Sequence, residues 1–395
     1  MSKNNNNNNV TNSQPQHSCL VIQSNNVSSW GGYTNLVINL NGYVIHEVTL
    51  QINTSAITGV TASGLFPCFC SAFKWFVNCN VTNQNNTIDL FDSQSNYLLN
   101  QLYTSYEDSI FINNASGAYN NATSRFAMGQ TTSTWLVPSR IGIFNQLRSE
   151  LLNVNHNIRV SLLMENLTNI INQSSLTGTP VSTINSVSLL LKVSKYDQQT
   201  VNNKLMQLQR NPLQQLYNSC AYQPSVINSG STTAIITLSN FVNLNIQYLY
   251  FVIRLSSTLT KAEAMLFLNN ITNYSVFSSS GENLTGSPIS SQQSLFVYNK
   301  STTIGCFTAI DSTYGNVFTI FHSVDPISTM TMSGSGIYGQ RQYNGAESLQ
   351  INFTSSLTAN VNVDIYASVT SMLRQTPLGF TKIIEKYINR LIFKK

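Results

Sequence analysis

The sequence predicts an all-β protein built from two consecutive β-sandwiches, and three observations carry that expectation. Runs of β-branched and aromatic residues bounded by Asn, Gly and Ser recur at short intervals. A polar stretch rich in Gln and Asn, 197–218, interrupts them near the middle of the chain. The 395 residues suffice for two domains, each able to bury a full core.

In the first half, strands are expected at 33–40, 42–52, 69–82, 125–130, 134–137, 158–167 and 184–195. A short helix is expected at 96–107, where Leu98, Leu99, Leu102, Tyr103 and Tyr106 approach helical spacing. In the second half, strands are expected at 234–238, 246–255, 294–298, 302–309, 316–324, 348–354 and 360–370. Many short strands in each half are the pattern of a sandwich or barrel. The connector at 197–218 contains Pro212 and no strand pattern, so it sets the boundary. The expected division is a disordered Asn-rich arm at 1–16, a first sandwich at 17–205, a second at 206–372 and a basic amphipathic helix at 373–395.

Composition narrows the function. Charged residues make up 9% of the chain, against about 25% in ordinary domains. Neutral polar residues, including 51 asparagines, take their place. The net charge of +5 comes with no basic stripe interleaved with aromatics, which argues against nucleic-acid binding by the main domains. No apolar window reaches the length of a membrane-crossing helix. The opening MSKNNNNNNVTNSQPQHS lacks the apolar core of a signal peptide, and its Asn run cannot pack.

Catalytic resources are thin. Cys19, Cys68, Cys70, Cys79, Cys220 and Cys306 show neither CxxC pairs nor a zinc-ribbon spacing, and read as reduced, packing thiols. His17, His46, His156 and His322 are in no metal spacing, and neither GxSxG nor HExxH occurs. Glu107 and Asp108, adjacent in sequence, would point to opposite faces of a strand and form no glycosidase dyad. Gly334, Gly336 and Gly339 spell a dinucleotide-binding turn, but GQRQYNGAES after them is no helix former, and Glu347 comes too early for the ribose. A Gly/Ser loop is the better reading. Sequons such as Asn80, Asn166, Asn270 and Asn352 arise by chance in such a chain. No catalytic residue, cofactor or metal is therefore expected.

Two stretches stand out. After Trp135-Leu136-Val137-Pro138, the residues Ile143, Leu147 and Leu151 form a stripe at i, i+4 and i+8, flanked by Phe144 and Leu152. Pro138 suits the end of a strand. A helix of about ten residues is marginal alone, so this one must dock on a sheet or a neighbouring subunit. The second half repeats the order of events: FTIFHSVDP ends a strand at Pro326, LQINFTS resumes one, and a last long strand closes each half. That order suggests a duplicated fold. The second connector, 327–347, departs from it, being rich in Gly and Ser with no helix pattern.

The tail GFTKIIEKYINRLIFKK places Ile383, Ile384, Tyr387, Ile388, Leu391 and Ile392 on one helical face. Lys382, Lys386, Arg390, Lys394 and Lys395 lie on the other side or at the end. Such a helix can lie in an anionic membrane surface, dock on a partner, or fold onto its own domain.

Taken together, the strand at 134–138, the helix at 143–152, the strand at 158–167 and the exit through 186–218 resemble the double jelly-roll major capsid proteins of the tectivirus–adenovirus lineage. That lineage includes icosahedral viruses with an internal membrane. The resemblance implies eight strands per jelly roll, with a helix between the sixth and seventh. It implies homotrimeric, pseudo-hexameric capsomers in an icosahedral virion shell, assembled in the host cytoplasm or nucleus. Loops such as 278–291 would face outward. Ile143, Phe144, Leu147 and Leu151 would brace subunits. Lys382, Ile383, Lys386, Tyr387, Arg390, Leu391, Lys394 and Lys395 would meet membrane or partner. Implied partners are the chain itself, neighbouring capsomers, penton and minor capsid proteins, and an internal lipid membrane. The alternative is a carbohydrate- or receptor-binding β-sandwich protein without enzymatic activity. Trp30, Trp75 and Trp135, all in or beside strand patterns, lean away from it.

Overall fold

Alternation with a period of two builds the first half. In YTNLVI, Thr34, Leu36 and Ile38 turn inward while Tyr33, Asn35 and Val37 face out. In IRVSLLM the residues Ile158, Val160, Leu162 and Met164 are all buried. A computed structural model describes residues 16–24, 29–39, 42–60, 73–81, 84–92, 129–138, 158–170, 178–255, 271–290, 318–322, 340–377 and 379–383, together with Asn26, Ser95, Ala115 and Ala127.

The first half contains β1 (Gln16–Gln23), β2 (Tyr33–Ile38), β3 (Tyr43–Thr54), β4 (Thr58–Val60), β5 (Phe73–Val81), β6 (Gln84–Asp92), β7 (Ser133–Pro138), β8 (Ile158–Met164), the short helix α1 (Leu167–Ile170), β9 (Gly178–Val181) and β10 (Ile184–Lys195). The helix α2 (Gln198–Arg210) leads into the second half. There follow β11 (Leu213–Ile227), β12 (Thr233–Thr237), β13 (Asn245–Leu255), β14 (Ile271–Phe277), β15 (Ile289–Ser290), β16 (Phe318–Phe321), β17 (Arg341–Gln342), β18 (Ser348–Phe353), β19 (Val361–Thr376) and β20 (Gly379–Ile383).

Sheet order reveals the architecture. The first half forms the sheets β1-β10-β3-β7 and β2-β8-β5-β6, and the second forms β11-β19-β13-β16 and β12-β18-β14-β15. The β4–β9 ribbon, β17 on β13 and β20 on β19 are additions. Without these additions each half keeps eight strands. Numbered within its own half, each reads 1-8-3-6 in one sheet and 2-7-4-5 in the other. Every pairing is antiparallel. This is a jelly roll, present twice.

Each jelly roll closes over its own core. In the first, Val48, Leu50 and Ile52 of β3 and Leu189, Leu191 and Val193 of β10 are buried. Trp135 fills the β7 side, its indole N–H donating to Thr54 Oγ1 at 2.9 Å. In the second, Phe251, Tyr274 and Phe318 pack together, with Tyr274 edge-on to both phenylalanines at 5.2 and 5.5 Å. The buried Tyr274 hydroxyl donates to the Thr319 carbonyl at 2.9 Å, so this aromatic core leaves no polar cost there.

Several expectations need correction. The connector 197–218 is no structureless linker: α2 spans its first part, capped by Asp197, whose Oδ1 accepts from the Thr200 N–H at 2.8 Å. Its last residues belong to β11. The helix thus straddles the expected boundary between 205 and 206. The polar arm ends sooner than expected, because Gln16 already pairs with Lys195. Where a strand is expected at 125–130, the described residues Ala127 and Gly129 are helical. The tail does not begin as a helix: Gly379–Ile383 forms a hairpin with the end of β19, Met372 pairing with Ile383. Pairing with an already formed strand end outweighs the local helical period. Strands expected at 294–298 and 302–309, and the helices expected at 96–107 and 143–152, fall mostly or wholly outside the described residues.

Candidate assembly surfaces

The two 1-8-3-6 sheets differ on the faces turned away from their cores. In the second, Tyr366 of β19 lies across from Tyr222 of β11 and Tyr250 of β13. Their rings stack at 5.0 and 5.1 Å. Tyr250 is fully enclosed, and burial pushes its hydroxyl pKa well up, with Cys220 adding to the effect. The Tyr222 hydroxyl donates to Asp364 Oδ1 at 2.7 Å, which gives a buried carboxylate a partner. Gln247 Nε2 donates to Thr370 Oγ1 at 3.1 Å on the same sheet. The corresponding face of the first sheet is polar and only partly covered. There Ser194 Oγ lies between His46 Nε2, at 2.5 Å, and His17 Nδ1, at 2.7 Å.

The halves meet inside the chain. β6 of the first runs against β11 of the second, and β5 and β6 both run against β20. The helix α2 ties them further: Leu205 and Tyr196 pack on Val44 of the first half, while α2 also runs beside β19. Lys204 Nζ sits over the Tyr196 ring at 5.0 Å.

A turn leading into β18 of the second jelly roll is held by Glu347. Its carboxylate accepts from the backbone N–H of Asn344, at 3.0 Å, and of Gly345, at 2.9 Å. Beside it, His322 Nε2 lies 2.7 Å from the Tyr343 hydroxyl. Burial, with Arg341 nearby, lowers the His322 pKa from 6.5 to about 4, so the ring is neutral. Burial pushes the Tyr343 hydroxyl up, which keeps it protonated. Glu347 therefore builds a turn. Gly334, Gly336 and Gly339 lie outside the described residues.

Large apolar side chains reach solvent mainly along four strands. Val21 on β1 is 58% exposed, Tyr33 and Val37 on β2 are 64% and 43%, Val226 on β11 is 58% and Ile235 on β12 is 70%. These strands are the first and second of each jelly roll, and each is the end strand of its sheet. None of the four contains Asp, Glu, Lys or Arg. Monomers usually guard such edges with charge, so both jelly rolls present an uncharged, apolar side. Sequence reasoning missed this side, yet a signal was there. Val21-Ile22, Val37-Ile38, Val226-Ile227 and Ile235-Ile236 are consecutive apolar pairs. In a strand, such a pair must put one member on each face.

Of the residues implied by the resemblance, Lys382 and Ile383 lie in β20, opposite Leu373 and Met372. Lys386, Tyr387, Arg390, Leu391, Lys394 and Lys395 lie outside the described residues, as do Ile143, Phe144, Leu147 and Leu151. In chain order the last four come after the sixth strand, β7, and before the seventh, β8. Among the described residues, no helix is long and apolar enough to cross a membrane. No cluster of three or more His, Cys, Asp and Glu among them could hold a metal.

No family model and no curated protein matches the sequence. Solved structures do match the fold. VP54 of PBCV-1, fitted into a reconstruction of the virophage Sputnik, superposes with a TM-score of 0.67 at 13% identity, over 94% of this chain and 97% of that one. The Faustovirus major capsid protein gives 0.64 at 8% identity, over 92% and 91%. The mavirus major capsid protein gives 0.50 at 12% identity, over 96% and 92%. At these identities the likeness is one of fold, and it runs through nearly the whole length of both partners. The chain has the double jelly-roll fold of these viral major capsid proteins.

Proposed function

We propose that the protein is a major capsid protein whose homotrimers form pseudo-hexameric capsomers of an icosahedral virion shell. The observation that carries this reading is the doubled 1-8-3-6 and 2-7-4-5 strand order in one chain, since three such chains offer six like-shaped units to one ring. The role is structural and non-catalytic, and the place of action is the virion. The neutral surface suits it, because charges of one sign would meet at every repeated contact. Penton and minor capsid proteins are the further partners of such a shell. The Asn-rich arm and the tail beyond Ile383 reach neighbouring capsomers or an underlying membrane, and the helical stripe at Ile143, Phe144, Leu147 and Leu151 braces the capsomer wall.

Sedimentation of the purified chain tests the assembly. A species of three times the 43.8 kDa chain mass is expected, and a strict monomer at assembly concentrations contradicts the reading. The tail is tested separately by truncation after Ile383, which spares the β19–β20 hairpin. Flotation with anionic vesicles is expected to be lost. Unchanged flotation removes Lys386, Arg390, Lys394 and Lys395 from any membrane role.

A further inference from the structure

We infer that His17 and His46 bind one divalent transition-metal ion, of the imidazole-preferring class that includes zinc, on the outer face of the first jelly roll. The site goes beyond the capsomer reading and does not depend on it. The two histidines are far apart in the sequence, and topology brings them together. β10 runs between β1 and β3 in its sheet. His17 of β1 pairs in register with Ser194 of β10. His46 arrives from the other side through an irregularity in β3. Glu47 pairs with Lys192 and Ile45 with Val193, so His46 is the extra residue of a β-bulge. Such a bulge re-aims a side chain, and here the imidazole reaches Ser194.

Two ring nitrogens thus converge on one point. His46 Nε2 and His17 Nδ1 lie 2.5 and 2.7 Å from the same Ser194 hydroxyl oxygen. The ring centroids are 5.9 Å apart. The hydroxyl donates to one nitrogen and accepts from the other, so one ring presents a lone pair and the other an N–H. A neutral imidazole offers either nitrogen to a metal, according to its tautomer. Zinc binds imidazole nitrogen at about 2.0–2.1 Å, so small turns of the two rings bring both nitrogens onto one ion. His17 is exposed and His46 half-buried, which leaves room for the turn and keeps the remaining coordination positions open to water. Charge in the surrounding ladder is balanced. Lys192 stands opposite Glu47, and Lys195 Nζ is held over the Tyr43 ring at 5.6 Å. An ion held by both imidazoles staples β1, the end strand of its sheet, to β3 across β10.

Calorimetric titration of the full chain with zinc chloride tests the site. Loss of even a ligand's outer hydrogen-bond partner costs about 10–100-fold in metal affinity. His17→Gln and His46→Gln are therefore each expected to weaken zinc binding by more than about tenfold. Both should keep the wild-type circular dichroism, since glutamine can still bond to Ser194. Cys19→Ser, on the same strand, is expected to bind as wild type does. Hydrogen exchange separates ligation from folding. At a hundredfold excess over the dissociation constant, zinc is expected to slow amide exchange in 18–22 of wild type by up to about 100-fold. Neither histidine variant should show that slowing. A wild type that binds no zinc overturns the site, and so does binding that survives both His17→Gln and His46→Gln. Binding lost with Cys19→Ser and kept in both histidine variants overturns it as well.

Discussion

The two 1-8-3-6 sheets share one strand order and differ in nearly everything turned away from their cores. β10 is only partly covered there, with Lys192 exposed and Leu190 half-buried between the buried Ser188 and Ser194. β19 is buried at almost every position, with Asp364, Tyr366, Ser368 and Thr370 enclosed on the side opposite the core. Strands covered on both faces lose the alternation that marks a half-buried strand. The inner faces carry the fold, which is why unrelated sequences give the same jelly roll twice. The outer faces record position, one sheet lying inside the molecule and the other at its surface.

The largest expected effect breaks that asymmetry directly. Tyr366→Ala removes a buried ring stacked between two others and should cost about 3–5 kcal/mol in chemical denaturation. Leu190→Ala, on the outer face of the corresponding strand β10, should cost about 1–2 kcal/mol. Equal costs would mean that both outer faces are equally enclosed. Acid should act next, and on the second jelly roll. The His322 pKa is lowered when folded, so the unfolded chain takes up the proton first as pH falls. Stability is then full above pH 6.5 and is lost as pH drops toward 4, by about 3 kcal/mol. His322→Gln should flatten that slope relative to wild type in urea titrations at each pH. Asp197→Ala removes the cap of the helix joining the halves. It should cost about 1 kcal/mol and raise amide exchange in 198–202 while leaving both cores protected. The smallest effect is expected from Arg341→Ala, whose partner Glu282 is largely solvated. Thermal unfolding should not detect it.

Legibility in the sequence followed the same division. β2, β3, β5, β7, β8, β10, β12, β13, β16, β18 and β19 were readable, because apolar residues alternate or run together in their sequences. β11 was not, since Gln, Asn, Ser and Cys fill a strand whose partner, β19, supplies most of the apolar contact. β14 hid for a related reason: in ITNYSVF, only Ile271, Tyr274 and Val276 mark a core face. The helix α2 had a legible cap in Asp197 and a stripe at Val201, Leu205 and Leu208, but its polar composition masked both. β20 read as helix because only the long-range hairpin with β19 makes it a strand. The assembly surface was the least visible feature, because an exposed Val beside a buried Ile differs from a core pair only by the face it occupies.

The most direct measurement is electron microscopy of the purified protein in negative stain. The double jelly-roll capsomer requires particles with a six-lobed outline and threefold symmetry, each chain contributing two adjacent lobes. Single two-lobed particles with no ordered association, at concentrations where a shell protein assembles, would contradict the account.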